Sequence, residues 1–356
     1  MPFVAQLEPD VLLQACMAHP PDGFVVGRSA QGAPSFMAPF DLLTTADDAF
    51  RRRIESLPLY RRWRRLLRWR TRFVGSTVSE YALLPGEVAP EVLARGLKAA
   101  HGRECSLLVV KDIAGDSPLL GEADNAYVRT FAEACEREGY VLLEGQALAW
   151  VPIDFDSDEA YLARLSRSRR KNIRRKLRSR DALEIGLLHA GDACFRDEVV
   201  LAEFHALFEN VYAQSEIHFD HPSEGYFRQL FQAAGSGGVV FVYRQQGRMI
   251  GWNLCYERDG KLVDKYIGLA YPAAREHNLY FVSWMHNLGY ARERGLTHYV
   301  AGWTDPEVKS FLGARMSFTR HAVYARNPLL RLLLRRLGGH FESDRAWQAA
   351  VESGDE

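Results

Sequence analysis

The most constraining stretch of the 356-residue chain is residues 235–269. Gly235-Ser236-Gly237-Gly238 ends the preceding segment, and three strand-forming runs follow at 239–245, 248–257 and 261–269. They are linked at Gln246-Gly247 and Asp259-Gly260, pairs suited to the positive φ of a tight hairpin turn. The spacing predicts an antiparallel meander. A helix over 274–294 comes next, closed by Gly295. A strand at 297–301, a short helix at 306–312 and a strand at 318–326 complete the unit. That order predicts an α/β (α+β) fold with helices flanking a mixed sheet.

Upstream, residues 78–84 read as a strand, 90–101 as a helix and 107–113 as a buried strand. Residues 122–138 read as an amphipathic helix through Val128, Phe131, Ala132 and Cys135. A strand pair spans 140–153, and residues 1–48 give no assignable pattern. The polar run 154–158 marks a boundary and caps a long basic helix over 158–180, followed by helices at 197–213 and 223–234. The expected organisation is a first domain over 1–154 with a basic amphipathic helix, a second over 155–326, and a basic tail helix within 327–356. No sequence repeat relates the two halves.

Composition removes several function classes. Formal net charge is zero, so nothing global calls for an acidic or nucleic-acid partner. The five cysteines are scattered and never form C-x-x-C, against a disulfide framework or zinc site and for a reducing compartment. No run of about 18 apolar residues reads as a membrane span, and the first residues lack the pattern of a secretory signal. The expected location is the cytoplasm. The motifs G-x-x-x-x-G-K, G-x-S-x-G and H-E-x-x-H are absent, which disfavours P-loop, α/β-hydrolase and zincin chemistry.

Three stretches carry a family resemblance. They are YLARLSRSRRKNIRRKLR (161–178), the meander with its following helix (VVFVYRQQGRMIGW through GLAYPAAREHNLYF), and AGWTDPEVKSFLG (301–313). Together, over about 155–326, they resemble the Fem-type branch of the GNAT superfamily of N-acyltransferases. The resemblance implies tandem GNAT-like domains, the first degenerate and the active site in the second. It implies an acyl group passed from a thioester, on coenzyme A or a carrier protein, to an amine by direct attack. A variant of that reading takes an amino acid from aminoacyl-tRNA to a cell-envelope or natural-product acceptor. The donor is a co-substrate, with no permanently bound cofactor. Two departures stand out. The glycine-rich pyrophosphate loop is replaced by YPAAREHN (271–278), which has no glycine, and Asp-Pro-Glu-Val precedes the lysine where the family has tyrosine.

On that frame the candidate residues take roles. Lys309 is placed to neutralise a substrate phosphate or a tetrahedral oxyanion. Asp305 and Glu307 are candidates for the base that takes the amine proton, although Asp305-Pro306 also reads as a helix cap. Asp264, Lys265 and Tyr266 lie on the third meander strand, where alternation puts Asp264 and Tyr266 on one face and Lys265 on the other. Arg170, Lys171, Arg174 and Arg175 form a basic face for donor phosphates, and Glu276, His277 and Asn278 open the long helix where an anion is favoured. His218, Asp220 and Trp303 are candidates for acceptor binding, and no metal site is expected.

Residues 51–72 carry ten arginines among Leu59, Tyr60, Trp63, Leu66, Leu67 and Trp69. Such a segment suits the anionic inner face of a membrane or a nucleic-acid backbone, and Arg331–Arg336 in the tail adds a second contact. A different class of protein also fits: a non-catalytic GNAT-shaped chain that binds an anionic surface through 49–72 and 167–180.

Overall fold

The computed structural model describes residues 3–41, 48–215 and 219–337. They gather into two compact units. Unit 1 takes residues up to Gln6, Gly23–Ala147 and those from Ser317 onward; unit 2 takes Leu7–Asp22 and Leu148–Met316.

Along the chain come β1 (Phe3–Val4), α1 (Asp10–Ala18), β2 (Val25–Arg28), β3 (Pro34–Asp41), α2 (Asp48–Glu55), α3 (Tyr60–Trp63) and β4 (Arg68–Val74). β5 (Leu84–Pro85), α4 (Pro90–His101), β6 (Leu107–Ala114), α5 (Glu122–Arg137) and β7 (Val141–Pro152) follow. The remainder supplies α6 (Asp158–Ala163), α7 (Arg167–Leu177), β8 (Glu184–His189), α8 (Glu198–Tyr212), α9 (Glu224–Phe231), β9 (Gly238–Gln245), β10 (Arg248–Arg258) and β11 (Lys261–Leu269). It closes with α10 (Ala273–Glu276), α11 (Leu279–Glu293), β12 (His298–Gly302), α12 (Pro306–Leu312), β13 (Arg315–Ala325) and α13 (Pro328–Leu337).

Both units use one plan. In unit 2, β9, β10 and β11 are an antiparallel meander, and α11 leads to β12, which runs parallel to β11. In unit 1, β2, β3 and β4 are an antiparallel meander, and α4 leads to β6, which runs parallel to β4. The repeat is one of topology without matching sequence. In unit 1 the strand beside β6 is β13, from the far end of the chain, antiparallel through Thr319↔Ala114 to Ala325↔Leu107. In unit 2 the strand beside β12 is the second half of β7.

The meander of unit 2 follows its turn residues. Gln246-Gly247 and Asp259-Gly260 all take positive φ (49°, 77°, 46° and 71°), the twist that returns one strand along the next. One face of the meander is covered by α11, with Val282, Met285 and Leu288 packed among Phe241, Cys255 and Tyr299. The other face carries an aromatic cluster in which Phe204, Phe227 and Phe231 from α8 and α9 surround Trp252. The Trp252 indole N–H donates to the Phe204 carbonyl at 2.9 Å, so the one polar atom of that ring is satisfied.

Several sequence expectations change. Residues 51–72 are not one helix but α2, α3, a 3-10 turn at Arg64–Leu67 and then β4. The exposed helix expected there is interrupted because Pro58 cannot continue a helix and Leu59 turns left-handed at φ 61°. Residues 78–84 are irregular except for the start of β5, and 140–153 is one long strand rather than a pair. The helix expected over 158–180 is two: Ser157 accepts from the Ala160 N–H and Ser166 from the Arg169 N–H, so each serine starts its own helix. The helix expected over 274–294 is broken at His277-Asn278, where Asn278 is left-handed (φ 49°). The unassigned first 48 residues contain α1, β2 and β3, and β8 was not expected.

Candidate active site

The parallel register of β11 with β12 covers only Lys261↔His298, Leu262↔Tyr299 and Val263↔Val300. Beyond these pairs no further register joins the two strands, so they part from Asp264 and Ala301 onward. β12 ends at Gly302, whose φ of 78° suits glycine. A Cβ built on Gly302 would lie 3.8 Å from the Asp264 carbonyl oxygen and 3.9 Å from the Lys309 Nζ. The Asp264 carbonyl oxygen and the Lys309 ammonium thus both lie beside the Gly302 backbone.

Lys309 reaches this point from α12 and is only 4% exposed. The helix is fixed at both ends. Pro306 occupies its first turn, and the Lys309 N–H donates to the Asp305 carbonyl at 3.1 Å. Gly313 ends it in the left-handed region (φ 102°), and the Ala314 N–H returns to the Lys309 carbonyl at 2.9 Å. The Tyr161 hydroxyl donates to the Leu312 carbonyl at 2.5 Å. A Cβ on Gly313 would come within 2.8 Å of that hydroxyl, so sterics as well as φ require glycine.

Behind the parting strands lies a buried polar network. Asp264 accepts from Asn253 Nδ2 at 2.7 Å and from the Tyr299 hydroxyl at 2.7 Å. The Asn287 side-chain nitrogen on α11 is 3.2 Å from Asp264 Oδ2, 3.1 Å from Asn253 Oδ1 and 3.1 Å from the Tyr299 hydroxyl. Burial pushes the Asp264 carboxyl up to about 6, against the opposing pull of the Tyr299 hydroxyl, the Lys309 ammonium and the Cys255 thiol. Burial pushes the Tyr280 hydroxyl up as well, and the charges of Asp305 and Asp264 add to it.

A bulge corrects the expected facing of the third meander strand. The register with β10 passes from Leu254↔Tyr266 to Cys255↔Asp264, so Lys265 is the extra residue. The bulge breaks the alternation: Asp264 joins the α11 side and Tyr266 the α8–α9 side. There the Tyr266 hydroxyl is 2.8 Å from the Tyr226 hydroxyl, and its ring packs against Phe208 and Phe227. Lys265 forms a buried ion pair with Glu8 at 3.4 Å.

The cations of α7 divide into anchors and exposed groups. The Arg169 guanidinium donates to the Ser310 carbonyl at 3.3 Å and lies 5.6 Å from the Phe311 ring centroid, tying α7 to α12. The Lys176 ammonium sits 3.4 Å over Phe281 of α11. Arg170 donates to the Ala163 carbonyl, and Arg174 pairs with Glu159 of α6, a partner that spacing within α7 did not predict. Lys171 and Arg175 are exposed.

The remaining candidates are spread around this core. Asp305 and Glu307 are exposed; Asp305 holds the N-cap position in a left-handed conformation (φ 55°), and its side chain caps nothing. Trp303 is half-buried beside them. Glu276, His277 and Asn278 lie at the α10–α11 junction, where a helical turn stands in place of a glycine loop. His218 lies outside the described residues. Asp220 is near Tyr212 and Tyr266, whose hydroxyls its charge helps push up, while His221 stacks on Tyr212 and bonds Glu209 at 2.8 Å. Among the described residues no three His, Cys, Asp or Glu side chains are grouped to hold a metal, and no helix is long and apolar enough to cross a membrane. Asn253, Asn287, Tyr299 and Glu8 were not anticipated; the only sequence signal was polarity inside otherwise apolar elements.

The corresponding strands of unit 1 are held differently. β4 and β6 are in register only to Val74↔Val110. Just beyond, Lys111 donates across to the Ser76 carbonyl at 2.9 Å and pairs with Asp112.

Comparison with known proteins bears on the fold. Residues 167–310 match the acetyltransferase (GNAT) domain family. A search of curated proteins gave no significant match. Among solved structures, the chain is similar to the C-terminal domain of a protein assigned as a lysylphosphatidylglycerol synthetase from Agrobacterium fabrum. The TM-score is 0.56 at 13% identity, covering 93% of this chain and 92% of that one. It is also similar to L-PGS from Bacillus licheniformis (TM-score 0.52, 12% identity, 94% and 98% covered) and to FemX (0.51, 12%, 90% and 97%).

Proposed function

We propose that this chain, whose residues 167–310 match the acetyltransferase (GNAT) domain family and whose fold is similar to that of FemX, is an N-acyltransferase working where β11 and β12 part. The observation that carries the reading is the buried Lys309, whose ammonium lies beside Gly302 at the end of the parted strands. An acyl thioester entering where the strands part would present its carbonyl oxygen to Lys309. The acceptor amine attacks the carbonyl carbon, a C–N bond forms, and the carbonyl pair moves to oxygen as an oxyanion opposite the ammonium. Collapse restores C=O and breaks the C–S bond, releasing the thiolate. The amine proton passes to Asp305 directly or through one water.

Asp264 acts through Lys309 as a positioning residue. Its carboxylate, held by Asn253, Asn287 and Tyr299, places negative charge behind the ammonium. Lys265 and Tyr266 support the bulge from the opposite side of the strand. The acyl donor and amine acceptor are the expected small or envelope-precursor partners, and Trp303 and Asp220 are assigned to the acceptor side.

One observation favours the aminoacyl-tRNA variant of the same chemistry. Residues 273–276 are a helical turn with Ala274 buried, so backbone N–H groups are not presented as in a glycine loop for a pyrophosphate. The exposed cations of α7 would then carry the donor's phosphates, and the bond broken would be C–O. A thermal-shift comparison of coenzyme A, an acyl-coenzyme A, an acyl-carrier protein and charged tRNA tests the assignment, because a true donor stabilises the fold by mass action. Stabilisation by charged tRNA alone, with ribonuclease-sensitive transfer, selects the variant; no response to any donor overturns both.

A further inference from the structure

The α2–α3 turn of unit 1 puts two leucines into solvent at the centre of a basic segment. Leu57 is 44% exposed and Leu59 64% exposed, on either side of Pro58. Ordinary surface leucines need no explanation singly, but these two form the tip of one tight turn. The tip is fixed by main-chain bonds from the Leu57 N–H to the Ile54 carbonyl at 3.1 Å and from the Tyr60 N–H to the Leu57 carbonyl at 3.2 Å. Leu59 itself is left-handed at φ 61°, a conformation that costs a branched side chain on the order of 1–2 kcal/mol and has no glycine or asparagine to relieve it.

The flanks of the tip are almost purely cationic. Arg52 and Arg53 precede it, and Arg61, Arg62, Arg64 and Arg65 follow it, all exposed; Glu55 is the acidic residue between them. The same unit includes α13, where Leu329, Leu332 and Leu333 are exposed together with Arg335 and Arg336. An apolar tip flanked by guanidinium groups is complementary to one kind of surface, in which negative charge lies in a plane over hydrocarbon. A nucleic-acid backbone would use the arginines, but aliphatic tips offer it neither hydrogen bonds nor a ring to stack on.

We propose that unit 1 docks on an anionic lipid bilayer, with Leu57 and Leu59 entering the headgroup–acyl boundary and the flanking arginines on the lipid phosphates. The surface is distinct from the Lys309 site and does not depend on the acyltransfer reading. A membrane-docked enzyme would meet donor or acceptor molecules that are themselves held at the membrane.

The test is co-sedimentation of the full chain with vesicles of phosphatidylcholine alone and of phosphatidylcholine with phosphatidylglycerol, at low and at physiological salt. Wild type is expected to bind the mixed vesicles and not the neutral ones. The double variant Leu57→Glu/Leu59→Glu and the variant Arg61→Gln/Arg62→Gln/Arg64→Gln/Arg65→Gln should each weaken partitioning by about tenfold or more. Their melting temperatures should stay unchanged, since the altered side chains are exposed. Absence of binding to mixed vesicles at low salt overturns the proposal. Binding that the leucine variant leaves intact, or tighter binding to RNA that is indifferent to the leucines, overturns it too.

Discussion

Tyr299 donates its hydroxyl to Asp264 at 2.7 Å, bridging β12 and β11 at the place where their register stops. The bond ties down the last closed part of the sheet, and the open part begins beside it. A carboxylate there is costly to bury, and its donors Asn253, Asn287 and Tyr299 compensate for part of that cost.

The Asp264 carboxyl gives a pH dependence with a definite sign. Its folded value, about 6, lies above the ordinary 3.8, so the folded chain holds a proton that the unfolded chain has released. This group therefore withdraws stability as pH rises from about 4 through about 6, by on the order of 3 kcal/mol at most, and has no effect below both values. Asp264→Asn should flatten that part of a denaturation-versus-pH profile. A wild-type profile that rises over the same window by the amount the variant removes would contradict the assignment.

Lys309→Ala and Lys309→Met should lower kcat by at least about tenfold. The methionine variant keeps the apolar stem packed, so it separates loss of charge from loss of volume. A kcat unchanged in a folded Lys309→Met protein would remove the oxyanion role.

Gly313→Ala should lower stability by about 1–3 kcal/mol, from left-handed strain and from collision with the Tyr161 hydroxyl. Tyr161→Phe should cost about 1 kcal/mol by leaving the Leu312 carbonyl without that donor. Combining them should cost less than the sum, because the phenylalanine removes the oxygen that the new Cβ strikes. Thermal melts of the four proteins check the cycle.

Arg170→Gln, Lys171→Gln, Arg174→Gln and Arg175→Gln together should raise the donor KM severalfold with little change in melting temperature. The Arg174–Glu159 pair is largely exposed, and such pairs contribute roughly 0–1 kcal/mol. An unchanged KM across the donors would detach α7 from donor binding.

Much of unit 2 was legible in the sequence because its signals are local. Gln246-Gly247 and Asp259-Gly260 fix the hairpins, and Pro306 with Gly313 fixes α12 to the residue. The breaks in the helices were less visible: Ser166 starts a second helix inside a run of uniform basic composition, and Asn278 interrupts a long apolar pattern. The facing of Asp264 and Tyr266 was hidden for another reason. A bulge is a property of two strands together, so period-two reading of one strand could not register the extra residue Lys265. Likewise, the Asn253–Asp264–Asn287–Tyr299 network draws on four elements, and nothing within any one element marks its members as partners.

The position of β13 bears on how the chain is made. Unit 1 contains β6 early in the sequence, but the strand that covers its edge, β13, follows the whole of unit 2. During synthesis, the first unit must wait with an unpaired, apolar β-edge until more than 170 further residues beyond Ala147 have left the ribosome. Truncation before Arg315 should therefore yield aggregation rather than a free-standing first unit, although most of that unit's residues would be present.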